Sequence, residues 1–191
     1  AGDTLLMFEE DETFSLGLYP ALTKKWIFIE VESTLSTEIR YFPADPSKYE
    51  LKTFLSREKE HEYSVSDGGD RFFVLTNWQA KNFRVMEVPY DRTMDKGAWK
   101  EVVPHRPETL IEKILPLKTF LAIEERGDAL TRIRLLERGT PAAKAEAASE
   151  LLRFSESAHV VSLGEMNDYD SVLVRYAYES LTTPPSDFDF E

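Results

Sequence analysis

Hydrophobic and polar residues alternate in short runs along almost the whole chain, and turn-forming residues interrupt them at regular intervals. In RFFVLTN (71–77) and NFRVMEV (82–88), aromatic and β-branched residues dominate. Asp67-Gly68-Gly69-Asp70 precedes the first run, and Asn77-Trp78-Gln79-Ala80 separates the two. Runs of this length and composition, bounded by such residues, read as strands. The pattern predicts strands near 4–8, 14–19, 24–31, 37–43 and 50–55, then near 61–66, 71–77, 82–88 and 98–103. Further strands are expected near 111–116, 118–124, 129–136 and 150–154, and the last near 159–163, 171–179 and 187–190.

So many evenly spaced strands raise the question of an internal period. The apolar residues entering each second strand, Trp26, Phe72, Phe120 and Leu173, lie 46, 48 and 53 positions apart. Arg40, Arg84 and Arg132, inside the third strands, lie 44 and 48 apart, each followed by a β-former. A period of roughly 45–50 residues with four strands per unit describes a propeller blade. Trp-Asp dipeptides are absent, so the WD40 type does not apply. A lone four-stranded sheet buries its apolar faces only against neighbours, which is the physical reason for repetition.

The expectation is therefore an all-β fold. It is a β-propeller segment of about four four-stranded antiparallel blades, with boundaries near 1–55, 56–105, 106–155 and 156–191. The chain should begin on an outer strand of a preceding blade and stop on the third strand of the last. One stretch breaks the pattern. In Gly139-Thr140-Pro141 and the alanine-rich run to Ala148, Thr140 can cap a short helix with Pro141 at its first position, or the stretch is a loop.

Composition narrows the partners. The 191 residues carry a net charge of −12, which argues against nucleic acid as a partner, since phosphate binding needs a basic face. No cysteine is present, so disulfides, thiolate metal sites and a Cys nucleophile are excluded, and a cytoplasmic setting is expected. No apolar run reaches the roughly 18 residues that cross a bilayer. Ala1-Gly2-Asp3 looks like a cut point rather than a natural start.

Candidate chemistry is sparse. The Gly-x-Ser-x-Gly elbow, zinc-type histidine spacings and a phosphate-binding loop are all missing. His61 and His159 fall at strand starts, positions that the repeat explains without catalysis, and His105 falls in a loop. Three acidic stretches, Glu9-Glu10-Asp11-Glu12, Glu58-Lys59-Glu60 and Asp187-Phe188-Asp189-Phe190-Glu191, read as solvated turns rather than a calcium loop. The repeated arginines read as ion-pair partners or snorkelling side chains. No residue is assigned as catalytic, cofactor-binding or metal-ligating, and no cofactor is expected.

Particular stretches resemble a known family. Ser33-Thr34-Leu35-Ser36-Thr37-Glu38-Ile39-Arg40-Tyr41 is similar to a segment in the propeller of the oligopeptidase B (protease II) family. So are His61-Glu62-Tyr63-Ser64-Val65, Gly69-Asp70, Leu75-Thr76-Asn77 and Ala80-Lys81-Asn82-Phe83-Arg84. Pro104-His105-Arg106 and Arg175-Tyr176-Ala177-Tyr178-Glu179-Ser180-Leu181-Thr182-Thr183-Pro184 follow in the family's order, with Ala177 and Glu179 departing from its pattern. The resemblance implies the C-terminal part of a seven-bladed propeller from the prolyl oligopeptidase family of serine peptidases. It also implies a partner, an α/β-hydrolase domain of the same parent chain bearing a Ser-Asp-His triad. The parent would be a hydrolase that cleaves short basic peptides after Arg or Lys, with the propeller gating access. The triad domain is expected to lie outside this chain, which alone would not catalyse. Alternatives are a freestanding propeller used as a protein-interaction module, and a sugar-binding or hydrolytic propeller with central carboxylates. Bare strand edges at both ends would favour an edge-to-edge homodimer of the segment.

Overall fold

Phe72 through Thr76 is a strand in which all five residues are buried, so both of its faces are covered. That is possible only if the sheet holding it lies between two others. The computed structural model, which describes residues 5–191, has this arrangement. The first sheet contains β1 (Ser15–Pro20), β2 (Trp26–Glu32), β3 (Thr37–Pro43) and β4 (Lys52–Leu55). The second contains β5 (Tyr63–Asp67), β6 (Phe72–Thr76), β7 (Arg84–Val88) and β8 (Lys100–Val103). The third contains β9 (Leu110–Pro116), β10 (Phe120–Gly127), β11 (Leu130–Glu137) and β12 (Glu150–Leu151), and the fourth β13 (His159–Leu163), β14 (Val174–Ser180) and β15 (Ser186–Phe190). Each is an antiparallel meander in sequence order, and together they form the four successive blades of a propeller.

The core lies between blades. Alternation along β6 sends Phe72 and Val74 into a cluster with Phe28, Tyr41 and Phe54 of the first blade. Phe73 and Leu75 join Ile111, Leu121 and Ile123 of the third. A third cluster joins Leu117, Ala122 and Ile133 to Val161, Leu163 and Val174 of the fourth. At roughly 1.5–3 kcal/mol for each large apolar side chain fully buried, these three boundaries carry most of the stabilisation.

Several expectations need correction. No strand occupies the region near 4–8: Thr4 lies outside the described residues, and 5–8 pair with nothing, leaving Leu5 and Phe8 exposed. The strand expected over 150–154 shortens to β12. Its ladder stops after Leu151 because Phe154 turns away to stack on Tyr178 of the fourth blade, centroids 5.0 Å apart. The alanine-rich stretch forms a 3₁₀ turn (Ala142–Lys144) and one helical turn, α1 (Ala145–Ala148), with Ala145 buried at the second boundary. Thr140 does not cap it. Its hydroxyl donates back to the Glu137 carbonyl at 2.7 Å.

The same boundary buries a carboxylate. Glu125 is 1% exposed and takes a forked contact from Arg134 (Nη2 to Oε1, 2.8 Å) and another from Arg106 in the crossover from β8 to β9. Arg134 Nη1 also donates to Ser149 Oγ at 2.7 Å, which ties down the segment after α1. Burial pushes the Glu125 carboxyl up, but its bonds to Arg134 and Arg106 outweigh that and hold it below the usual range. Removing one partner of such a cluster leaves buried charge uncompensated. Glu125→Ala should therefore cost about 3–5 kcal/mol in urea unfolding, and a loss comparable with that of the exposed Glu165→Ala would refute this account.

Candidate functional site

Chain reversals place chemistry-bearing residues at the two ends of the blades. At one end lie the turns joining first to second strands: 21–25, 68–71, 117–119 and 164–173. They are tied to one another in series. Thr23 Oγ1 of the first blade donates to Asp67, a 2%-exposed carboxylate at the end of β5. Asp67 also accepts from Tyr90 Oη (2.5 Å) and the Gly69 amide (2.9 Å), while Lys25 Nζ donates to Gly69 O (2.6 Å).

Arg138, just after β11, continues the series. Its Nη1 donates to Gly68 O (2.7 Å) and Tyr169 Oη (2.8 Å), its Nη2 to Asp70 (2.5 Å), and its plane covers Phe73. Tyr169 Oη donates to Gly68 O (2.5 Å), and the Lys118 amide donates to Tyr169 O (3.1 Å). One guanidinium thus links blades two, three and four. Gly69 is required here: its φ of +85° suits glycine, and a Cβ would come within 2.6 Å of Tyr169 Oη.

An open groove of about 760 Å³ runs along this collar, lined by Gly68–Asp70, Arg71, Lys118, Arg138 and Tyr169, among others. Several of its charges pair with one another. Arg71 pairs with Asp70 (2.9 Å) and Glu87 (2.8 Å), and Lys118 with Asp170 (3.1 Å). Partial burial raises Asp70, but Arg138 and Arg71 outweigh it and hold the carboxyl below its ordinary value. The contacts of Arg138 make this groove a clamp between blades.

The histidines do not converge. His61 is 4% exposed and lies just before β5, its Nε2 2.9 Å from Thr76 Oγ1. His105 sits in the β8–β9 crossover, and His159 opens β13 with its ring against those of Phe154 and Tyr178. Among the described residues, no group of three or more His, Cys, Asp or Glu could hold a metal ion. The repeated arginines do form ion pairs: Arg40 with Glu38 (2.8 Å), Arg84 with Glu101 (3.4 Å) while stacked on Trp78, and Arg132 with Asp128 (3.1 Å). The acidic stretches are less free than expected. Glu9 binds Arg57, Glu58 binds Lys96 (2.7 Å) and Asp189 binds Arg175 (2.9 Å). Sequence reasoning named Asp67 only as a turn residue and did not single out Arg138, Tyr169 or Glu125. Arg138 and Tyr169 meet partners 68 and 101 positions away.

Blades tied to one another in this way form a propeller domain. Residues 2–191 match the family model for the prolyl oligopeptidase N-terminal beta-propeller domain, and the chain belongs to this family. It is 33% identical over 188 residues to dipeptidyl aminopeptidase BI of Pseudoxanthomonas mexicana, covering 98% of this chain and 25% of that protein. It is 27% identical over 186 residues to protease 2 of Moraxella lacunata, covering 97% and 25%. Oligopeptidase B from Trypanosoma brucei, solved with covalently bound antipain, superposes with a TM-score of 0.84 at 26% identity, over 95% of this chain and 26% of that one. The chain thus spans about a quarter of these relatives. In the homologous structures the propeller is joined to a catalytic domain of the same chain.

His61 has a measurable consequence. Burial and the Lys96 ammonium push its pKa from 6.5 down to about 4, against the opposing pull of Glu58. The folded state then binds fewer protons than the unfolded state in that window. The stability it contributes is complete above pH 6.5 and is lost as pH falls through about 4. Subtracting the urea stability of His61→Gln from that of the parent should leave a difference that declines over this window, and parallel profiles would sink the assignment.

Proposed function

We propose that the chain is the propeller portion of a serine-type oligopeptidase that cleaves short peptides after Arg or Lys. It would form one wall of the chamber over the active site and restrict what enters. The observation that carries this is the match of residues 2–191 to the prolyl oligopeptidase propeller family, joined to likeness to protease 2 and to oligopeptidase B structures. The nucleophile, base and specificity carboxylates would belong to an α/β-hydrolase domain of the parent chain, so this chain alone would not hydrolyse peptides. The net charge of −12 fits basic peptide substrates, and the absence of cysteine fits a cytoplasmic enzyme.

A relative named for removing dipeptides makes specificity the point to test. The full-length protein should hydrolyse N-blocked peptide amides after Arg and Lys. Preference for free-N-terminal dipeptide amides, or for cleavage after Pro, would replace this reading with another of the same family.

The isolated 191-residue chain should behave differently. β15 pairs only with β14 among the described residues, and Leu16 and Leu18 of β1 are exposed on a blade face. Bare edges and apolar faces recruit partners. Light scattering of the segment should report a homodimer or larger species, and a strict monomer at micromolar concentration would count against it.

A further inference from the structure

In each four-stranded blade the chain arrives and departs at one end. The strands alternate in direction and there are four of them, so a first strand begins where a fourth strand finishes. The crossovers 56–62, 104–109 and 152–158 lie at that end, with the second-to-third-strand tips 33–36, 77–83, 128–129 and 181–185. Any domain joined to the propeller through the end of a fourth strand emerges there. The opposite end is the collar, where the Gly68 carbonyl and the Asp70 carboxylate are already engaged between blades.

At the crossover end, Leu181 is 93% exposed at the tip of the β14–β15 hairpin. A lone exposed leucine is ordinary, but this tip is built to hold it still. The Ser180 amide donates to Thr183 O (3.0 Å), and the Thr182 and Thr183 amides donate to Ser180 Oγ (3.2 and 2.9 Å). Glu156, from the preceding crossover, accepts from Tyr178 Oη (2.8 Å), Thr183 Oγ1 (3.2 Å) and Thr182 Oγ1. Hydroxyls of Ser180, Thr182 and Tyr178 hold this carboxyl down at about 2, so the brace stays charged through the neutral range. Pro184 and Pro185 stiffen the return. At the same end, Leu35 is 54% exposed at the tip between β2 and β3. A rigid apex presenting an apolar side chain has already lost the freedom that binding would remove, which is what an interface anchor needs.

We infer that Leu181, with Leu35 as a second contact, is an apolar anchor on which the catalytic domain of the same protein seats. This rests on the peptidase reading above. The chemistry of the partner follows: an apolar recess on the catalytic domain facing the crossover end.

The test uses the full-length protein with a photoreactive benzoylphenylalanine at position 181 and, separately, in place of Thr119, an exposed collar residue. Crosslinks from position 181 should map to catalytic-domain peptides, and those from position 119 should not. Crosslinks from 181 confined to the propeller or reaching a second copy, or equal yields from both positions, would overturn the anchor. Peptide hydrolysis by the same preparations separates the two ideas. An active protein without the 181 crosslinks overturns the anchor and leaves the peptidase reading intact. A full-length protein without hydrolysis overturns that reading, and the anchor with it.

Discussion

Phe72 and Phe73 are neighbours in sequence and belong to different cores. A two-residue period turns successive side chains to opposite faces of a sheet, and in this chain both faces of the second and third blades are apolar. Neither face can be buried within its own blade. Each blade is therefore stable only as part of a stack, and the three clusters straddle boundaries rather than fill sheets. The turns, crossovers and ion pairs are arranged around that requirement.

Apolar contact is tolerant of sliding, so boundary geometry needs directional groups as well. Tyr63 supplies one. Its hydroxyl donates to Leu55 O (2.6 Å) at the end of one blade and accepts from the Ile39 amide (2.9 Å), while its ring lies in the first cluster. Asp67, Glu125 and Arg138 do the same at greater electrostatic cost, each desolvated and each compensated by several partners. Buried ion pairs are weak evidence for net stability. Their contribution here is to fix how one sheet sits on the next, because a shifted blade would leave several charges buried without partners.

How much of this was legible in the sequence follows from range. Alternation and turn residues are local, so most strands, the spacing near 45–50 residues and the propeller class could be read. The region near 4–8 carries the same local pattern as a true strand, and only the lack of a neighbour in the described structure denies it one. Phe154 left its predicted strand for a ring in the next blade, which no local pattern encodes. The collar was unreadable for the same reason: Arg138 meets Asp70 across 68 positions, and Tyr169 meets Gly68 across 101. The family-like stretch from His61 to Arg84 now has a physical explanation. Tyr63, Asn77 and Asn82 spend their polar groups on crossovers and neighbouring blades, with Asn77 Nδ2 reaching Glu60 O (3.2 Å) and Asn82 Nδ2 reaching Pro107 O (2.5 Å). Residues that hold blades together can mark a family as clearly as catalytic ones do.

An even number of strands per blade has a functional corollary. All crossovers fall at one end, so the other end is free of through-chain connections and can specialise in clamping. Changes at the collar, such as loss of Arg138, act on how blades two, three and four are held, and reach any bound domain only through that geometry. Changes at the crossover tips leave the blade cores untouched and act on whatever the tips meet. A propeller can thus influence a domain joined to it in two separable ways, by keeping its shape and by where it is held.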